Sequence, residues 1–103
     1  MDADEELRES ERTGKVVLGS NETLDATESG ESKLTILSAS CPRDIEEDLR
    51  EIAAENETTL YYYPGDSQEL GLALGKPFLV SSMAVLDPGE SNVLELGEGS
   101  NED

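Results

Sequence analysis

Histidine and tryptophan are absent from this chain, and cysteine occurs once, as Cys41, among 103 residues. Without histidine, the chain can form neither a His-based catalytic triad nor an imidazole acid–base pair. A single cysteine excludes an internal disulfide and gives little support for a structural zinc site. These absences predict that the protein is not an enzyme and that it uses neither a metal nor a cofactor.

Long apolar runs are also lacking. No stretch approaches the roughly 20 apolar residues of a membrane-spanning helix. No basic start precedes an apolar segment, as it would in a signal peptide. We therefore expect a cytoplasmic protein without a membrane partner, in which the glycosylation-like patterns at Asn21 and Asn56 occur by chance.

Positive charge is scarce, because seven Lys and Arg face 25 Asp and Glu and leave a formal net charge of −18. Such a chain repels itself at low ionic strength. The Debye length falls from about 10 Å at 0.1 M salt to about 3 Å at 1 M, so the composition favours a protein that works in concentrated salt. High charge with few aromatic residues also fits disorder. The regular apolar periodicity in the middle of the chain argues against that alternative.

Alternating helices and strands are predicted along the chain. The clearest helix follows Pro42, where four apolar residues are spaced i, i+4, i+7 and i+8: Ile45, Leu49, Ile52 and Ala53. Apolar runs predict strands at 15–18, 33–39, 59–63 and 78–86, with further helices at 1–13, about 20–29 and 67–75. This order predicts one α/β domain over residues 1–103, with helices on both faces of the sheet.

The two ends of the chain are predicted to be its least stable parts. The helix over residues 1–13 has a thin apolar stripe, so we expect it to fray. Residues 97–103 are predicted to form a flexible acidic tail.

Two segments are not explained by an acidic surface alone. At residues 19–22 a strand gives way to a helix start, where backbone amides can hold an anion or the edge of a nucleotide. At residues 76–80 an apolar loop leads into a strand. The plainer interpretation of this loop is an entry into the core. The functional interpretation is an apolar platform for an unstacked RNA base.

Five stretches of sequence carry a resemblance to a known family: TGKVVLGSN at 13–21, SASCPRDI at 38–45, ELG at 69–71, GKPF at 75–78 and DPGES at 87–91. In this order they resemble the archaeal and eukaryotic large-subunit ribosomal protein thirty of the e-type, which belongs to the kink-turn RNA-binding superfamily. The likeness covers roughly residues 13–96. It implies a three-layer α/β/α sandwich around a four-stranded mixed sheet.

The resemblance also implies an RNA site. In the family, a helix start meets the sheared G·A pairs of a kink-turn, and the matching residues here are Gly19, Ser20, Asn21 and Glu22. The position of Ser40 is commonly Asn and also touches RNA. Phe78 and Val80 match residues that pack on the internal loop of the RNA, and Lys76 is the one basic residue retained near that loop. The implied partners are ribosomal RNA and the large ribosomal subunit, bound by a monomer.

The sequence departs from this family at its basic positions. The second helix often carries Lys or Arg where this chain has Asp25 and Glu28, and we expect both to point toward the RNA side. Ser40 is also shorter than the usual Asn. Nucleic-acid binders usually show a basic patch, because phosphate contacts dominate their affinity. The net charge of this chain opposes such contacts.

Two hypotheses reconcile the resemblance with the charge. In the first, the protein is a ribosomal RNA-binding component from a salt-loving archaeon, and base contacts and apolar stacking supply its affinity because salt screens the repulsion. In the second, the fold is kept while the surface has become acidic, naturally or by engineering, and RNA binding has been lost.

Overall fold

The computed structural model describes residues 2–100, so Met1 and residues 101–103 of the predicted tail lie outside the described part. Its elements are α1 (Ala3–Thr13), β1 (Lys15–Leu18), α2 (Ser20–Glu28), β2 (Leu34–Leu37), α3 (Arg43–Glu55), β3 (Thr59–Tyr62), α4 (Ser67–Ala73), β4 (Ser82–Asp87) and α5 (Glu95–Ser100). The strands form one sheet in the order β1-β4-β2-β3. β4 runs antiparallel to β1 and β2, and β2 runs parallel to β3. The predicted four-stranded mixed sheet is confirmed.

Helices cover both faces of this sheet. On one face, Leu7 of α1 and Leu70 of α4 share a buried cluster with Ile36 of β2. On the other face, the Thr27 hydroxyl of α2 lies 2.8 Å from the Thr35 hydroxyl of β2, and α2 contacts α3. Successive side chains of a strand point to opposite faces, which is why Thr35 and Ile36 meet different helices. The predicted three-layer α/β/α architecture is therefore confirmed.

The last strand begins later than the sequence predicts. β4 starts at Ser82, and residues 78–81 form a loop, although the apolar run begins at Phe78. The Val80 N–H donates to the Ser67 carbonyl oxygen at 3.1 Å, so the loop is tied to the start of α4 and not to a neighbouring strand. A short apolar run does not by itself distinguish a strand from another buried segment. The later start leaves Phe78 outside the sheet.

α1 has more anchors than its few apolar residues indicate. Asp2 caps the helix, because its carboxylate accepts hydrogen bonds from the N–H groups of Asp4 and Glu5 at 3.1 and 3.3 Å. Leu7 is fully buried. Ser10 is buried as well, and its hydroxyl donates to the Leu7 carbonyl at 2.7 Å. A polar residue thus widens the buried stripe of this helix, which a count of apolar residues misses.

The C-terminal segment contains an element that the sequence did not reveal. α5 includes residues 97–100 of the predicted acidic tail. Val93, just before it, is fully buried, and α5 contacts β3. The helix spans only six residues, so it is too short to produce a recognisable helical period.

The environment of Tyr63 predicts that the stability of the fold depends on pH in alkaline solution. Its ring is buried beside α1, and its hydroxyl donates a 2.7 Å hydrogen bond to the Asp4 carboxylate. Burial, followed by this hydrogen bond and the charge of Asp4, raises the pKa of the Tyr63 phenol above its ordinary value of 10.0. The unfolded chain therefore releases this proton at a lower pH than the folded chain. We expect the free energy of unfolding to fall as the pH rises above about 10.

Denaturant unfolding at about pH 8 and about pH 11 measures this loss. Tyr63→Phe should lower stability at the lower pH by about 1 kcal/mol, because one hydrogen bond is lost. The same variant should lose less stability between the two pH values than the unsubstituted protein. Some loss should remain, because burial also raises the pKa of Tyr61 and Tyr62. An identical pH dependence in both proteins would contradict the role of Tyr63.

Candidate nucleic-acid interface

Three segments meet at one end of the sheet. Leu18 at the end of β1 pairs with Met83, and Leu37 at the end of β2 pairs with Ser82, so both strands end where β4 begins. From β1 the chain enters α2, from β2 it enters the turn that contains Ser40, and it reaches β4 through residues 76–81, here called the Phe78 loop. The fold thus brings together the segments that were predicted to touch RNA.

A network of hydroxyl groups joins two of these segments through Ser67, the first residue of α4. The Ser67 hydroxyl lies 3.1 Å from that of Ser38, 2.7 Å from that of Ser40 and 3.1 Å from that of Ser81. The Ser67 N–H also donates to the Ser40 hydroxyl oxygen at 2.9 Å. Ser67 is buried, so these bonds fix the turn after β2 against the Phe78 loop.

Ser40 lies in the turn after β2, and its hydroxyl is already engaged. It accepts from one backbone N–H and pairs with one hydroxyl, both of Ser67. A hydroxyl has one proton and two lone pairs, so little hydrogen-bonding capacity is left for a partner. The geometry gives Ser40 a role in holding the turn.

The start of α2 has the features of an open helix N-terminus. Gly19 is the residue before the helix, and its φ of 100° belongs to a region that residues with side chains rarely adopt. It has no side chain to cap the first turn, and no other side chain within residues 2–100 does so. The N–H groups of this turn, which includes Ser20, Asn21 and Glu22, therefore lack the capping acceptor that most helices have. Asn21 and Glu22 are exposed.

The two residues of the Phe78 loop that were predicted to face RNA differ in their exposure to solvent. Phe78 is 53% exposed, whereas Val80 is 1% exposed and belongs to the core. The Val80 N–H is bonded to the Ser67 carbonyl, which keeps its side chain directed into the core. The structure therefore offers the ring of Phe78 to a partner, and it places Val80 as an anchor beneath the loop.

Lys76, the predicted basic contact, is paired within the protein. Its Nζ lies 2.9 Å from Oε2 of Glu11 on α1, and both side chains are only about 30% exposed. On α2, Asp25 and Glu28 are exposed. The one basic residue of the Phe78 loop thus already has a carboxylate partner.

Two site residues escaped the sequence analysis. One is Ser67. The other is Gly71 of α4, where a Cβ would overlap the carbonyl oxygen of Phe78. The sequence Gly-Leu-Ala-Leu-Gly at 71–75 contains small residues, but nothing in it indicates that the Phe78 loop lies against Gly71.

The described residues hold neither a cluster of metal-ligating side chains nor a cysteine of lowered pKa. Among residues 2–100, no group of three or more His, Cys, Asp and Glu side chains could hold a metal ion. Burial, together with the charges of Glu46 and Asp44, raises the pKa of the Cys41 thiol, which disfavours the reactive thiolate. Within the same residues, no helix combines the length and the apolar character needed to cross a membrane.

Comparison with known proteins agrees with this architecture. Residues 1–95 match the family described as the ribosomal protein L7Ae/L30e/S12e/Gadd45 family. The chain is 40% identical over 94 residues to the large ribosomal subunit protein eL30 of Methanosarcina mazei, and the matched stretch covers 91% of this chain and 87% of that protein. It is 42% identical to the eL30 of Methanopyrus kandleri over 91% of this chain and 86% of that protein. It is also 42% identical to the eL30 of Methanocaldococcus jannaschii over 95% of this chain and 89% of that protein. The resemblance noted in the sequence is confirmed: the chain belongs to the ribosomal protein L7Ae/L30e/S12e/Gadd45 family.

Proposed function

We propose that this protein is a structural, non-enzymatic RNA-binding component of the large ribosomal subunit, which binds a kink-turn of ribosomal RNA as a monomer. The observation that carries the proposal is an exposed aromatic ring, Phe78, at the same end of the sheet as an uncapped helix start at Gly19. An aromatic face binds an unpaired base by stacking, and free backbone N–H groups bind base edges or phosphates. Relatives that are named large ribosomal subunit proteins support the same role.

Binding must depend on contacts that do not need a basic surface. The net charge is −18, and Lys76 is paired with Glu11. Stacking on Phe78 and hydrogen bonds from the first turn of α2 to base edges involve no counterion release, so concentrated salt weakens them little. Salt also screens the repulsion between the carboxylates and the RNA phosphates. The proposed protein therefore binds RNA best in a salty solution.

The second candidate function is an acidic protein that has kept this fold and lost RNA binding. The Lys76–Glu11 pair favours it, because the one cation of the Phe78 loop is neutralised by the protein itself. The exposed carboxylates of Asp25 and Glu28 on α2 favour it further.

Titration of the protein into a kink-turn RNA tests the proposed function and separates the two candidates. The control RNA has its sheared G·A pairs replaced by Watson–Crick pairs. Binding is measured at about 0.1 M and about 2 M KCl, with circular dichroism to report folding. The proposal requires specific binding at the higher salt. A folded protein that binds neither RNA at either salt concentration would establish the second candidate.

Replacing Glu11 with glutamine is expected to strengthen RNA binding at about 0.1 M salt by up to roughly fivefold, because Lys76 is then free to contact a phosphate. The plot of log K against log salt should steepen by about 0.7–0.9, the value for one phosphate contact. Glu9→Gln is the matched control. It removes the same charge from the same helix and breaks a similar ion pair, with Arg12 at 2.8 Å. Equal gains in both variants would assign the effect to net charge alone.

A further inference from the structure

An apolar groove is lined on one side by Phe78, and most of its other residues have no part in the proposed function. It has a volume of about 260 Å³ and is lined by Gln68, Leu72, Lys76, Pro77, Phe78 and Leu79. Leu72 is 62% exposed and Leu79 is 69% exposed. Single exposed leucines are ordinary in soluble proteins, but contiguous apolar patches mark sites of interaction.

The groove arises from the close approach of α4 to the Phe78 loop. Gly71 allows the loop backbone to lie against the helix, because a side chain there would overlap the Phe78 carbonyl. Leu72 follows Gly71, whereas the buried side of α4 is formed by Leu70 and Ala73. Gln68 and Leu72 are four residues apart, so they share one face of the helix. The groove therefore has α4 on one side and the Phe78 loop on the other.

No carboxylate is among the residues that line this groove. Three other cavities within residues 2–100 are lined by acidic groups: Asp2, Asp4, Glu5 and Glu69 in one, Glu57 in the second, and Glu22, Asp25 and Glu31 in the third. Arg8 also lines the first of them, and Arg50 lines the second. In a chain with a net charge of −18, a polyanion meets less repulsion at this groove than at a surface lined by several carboxylates, and the Glu11 carboxylate beside it is paired with Lys76. The groove also carries an amide, on Gln68, that can both donate and accept hydrogen bonds.

We propose that this groove holds a second unpaired nucleotide of the bound RNA, adjoining the one that stacks on Phe78. The side chains of Leu72 and Leu79 pack on the face of the base, and the Gln68 amide bonds to its edge. The inference rests on the proposed function, because Phe78 lines the groove and is also the residue on which the first base stacks. Contacts of this kind involve no counterion release, so they are suited to concentrated salt.

Substitution of Leu72 tests the inference. Leu72→Gln keeps a residue that favours helix but removes the apolar wall, and Leu72→Met keeps an apolar side chain of similar volume. With a kink-turn RNA that has at least two unpaired nucleotides in its loop, Leu72→Gln should weaken binding about three- to tenfold at both 0.1 M and 2 M KCl. Leu72→Met should bind as the unsubstituted protein does. An RNA shortened to one unpaired nucleotide should bind Leu72→Gln and the unsubstituted protein equally.

Other results would overturn the inference. Equal binding of the longer RNA by all three proteins would mean that no nucleotide occupies the groove, while the proposed function would stand. A self-association that Leu72→Gln abolishes, with RNA affinity unchanged, would assign the groove to a second copy of the chain. Absence of RNA binding by the unsubstituted protein would remove the proposed function and the groove site together.

Discussion

Replacing Phe78 with alanine is expected to weaken binding of a kink-turn RNA by about 5- to 150-fold, since stacking of a base on an aromatic ring contributes about 1–3 kcal/mol. The ring is 53% exposed and stands on a loop outside the sheet. The loss should be similar at low and high salt, because a stacked base releases no counterions. Fluorescence titration of a labelled RNA at both salt concentrations measures it.

Two controls separate this effect from a change in folding. The free energy of unfolding of Phe78→Ala should stay within about 1 kcal/mol of the original value, because Val80 and not Phe78 anchors the loop in the core. Phe78→Tyr keeps an aromatic face and should bind RNA almost as well as the unsubstituted protein. If alanine and tyrosine weaken binding equally, or if neither does, stacking on this ring is not the source of affinity.

Much of the architecture follows from local patterns in the sequence. The stripe from Ile45 to Ala53 predicts α3, and the apolar runs before Gly19 and after Lys33 predict β1 and β2. Strands that alternate with helices assemble into a covered sheet, which is why the layers could be predicted before any contact was known. The same order brings the ends of β1 and β2 to the start of β4, so the meeting of the three site segments is a consequence of topology.

The details of the site depend on contacts between distant parts of the chain, which local patterns do not contain. Ser67 bonds to Ser40 across 27 residues, and Lys76 pairs with Glu11 across 65. The burial of Val80 follows from the way the Phe78 loop packs on α4 and not from its place in an apolar run. A local pattern identifies residues that are able to bind RNA, and the packed structure decides which of them are still free to do so.

The stability of α1 and of the short α5 also depends on contacts that local sequence patterns do not contain. Leu7, the main apolar residue of α1, is fully buried, and the hydroxyl of Tyr63 bonds to Asp4 across 59 residues. A helix with so few apolar residues depends on tertiary packing more than on its own propensity. Because α1 also carries Glu11, the packing of this helix decides whether Lys76 is available to RNA.

Gly71→Ala is expected to reduce RNA affinity at least tenfold, because it displaces the loop that presents Phe78. The new Cβ would overlap the Phe78 carbonyl oxygen, which belongs to the backbone and cannot rotate away. Two hydrogen bonds hold the loop against α4 on either side of that contact, from Lys76 N–H to the Gly71 carbonyl at 2.9 Å and from Val80 N–H to the Ser67 carbonyl at 3.1 Å. Relief of the overlap must lengthen one of them, so stability should fall by about 1–3 kcal/mol.

Gly30→Ala is the control that separates the displaced loop from general destabilisation. Gly30 has a φ of 83° beyond the far end of α2, and a Cβ there meets open space, so alanine costs stability through backbone strain alone, by about 1–3 kcal/mol. At a temperature where both variants are folded, Gly30→Ala should bind RNA normally and Gly71→Ala should not. The double variant Gly71→Ala/Phe78→Ala should bind hardly more weakly than Gly71→Ala alone, because a displaced ring has no contact left to lose. Additive losses in the double variant would mean that Gly71 affects binding by a route other than the position of Phe78.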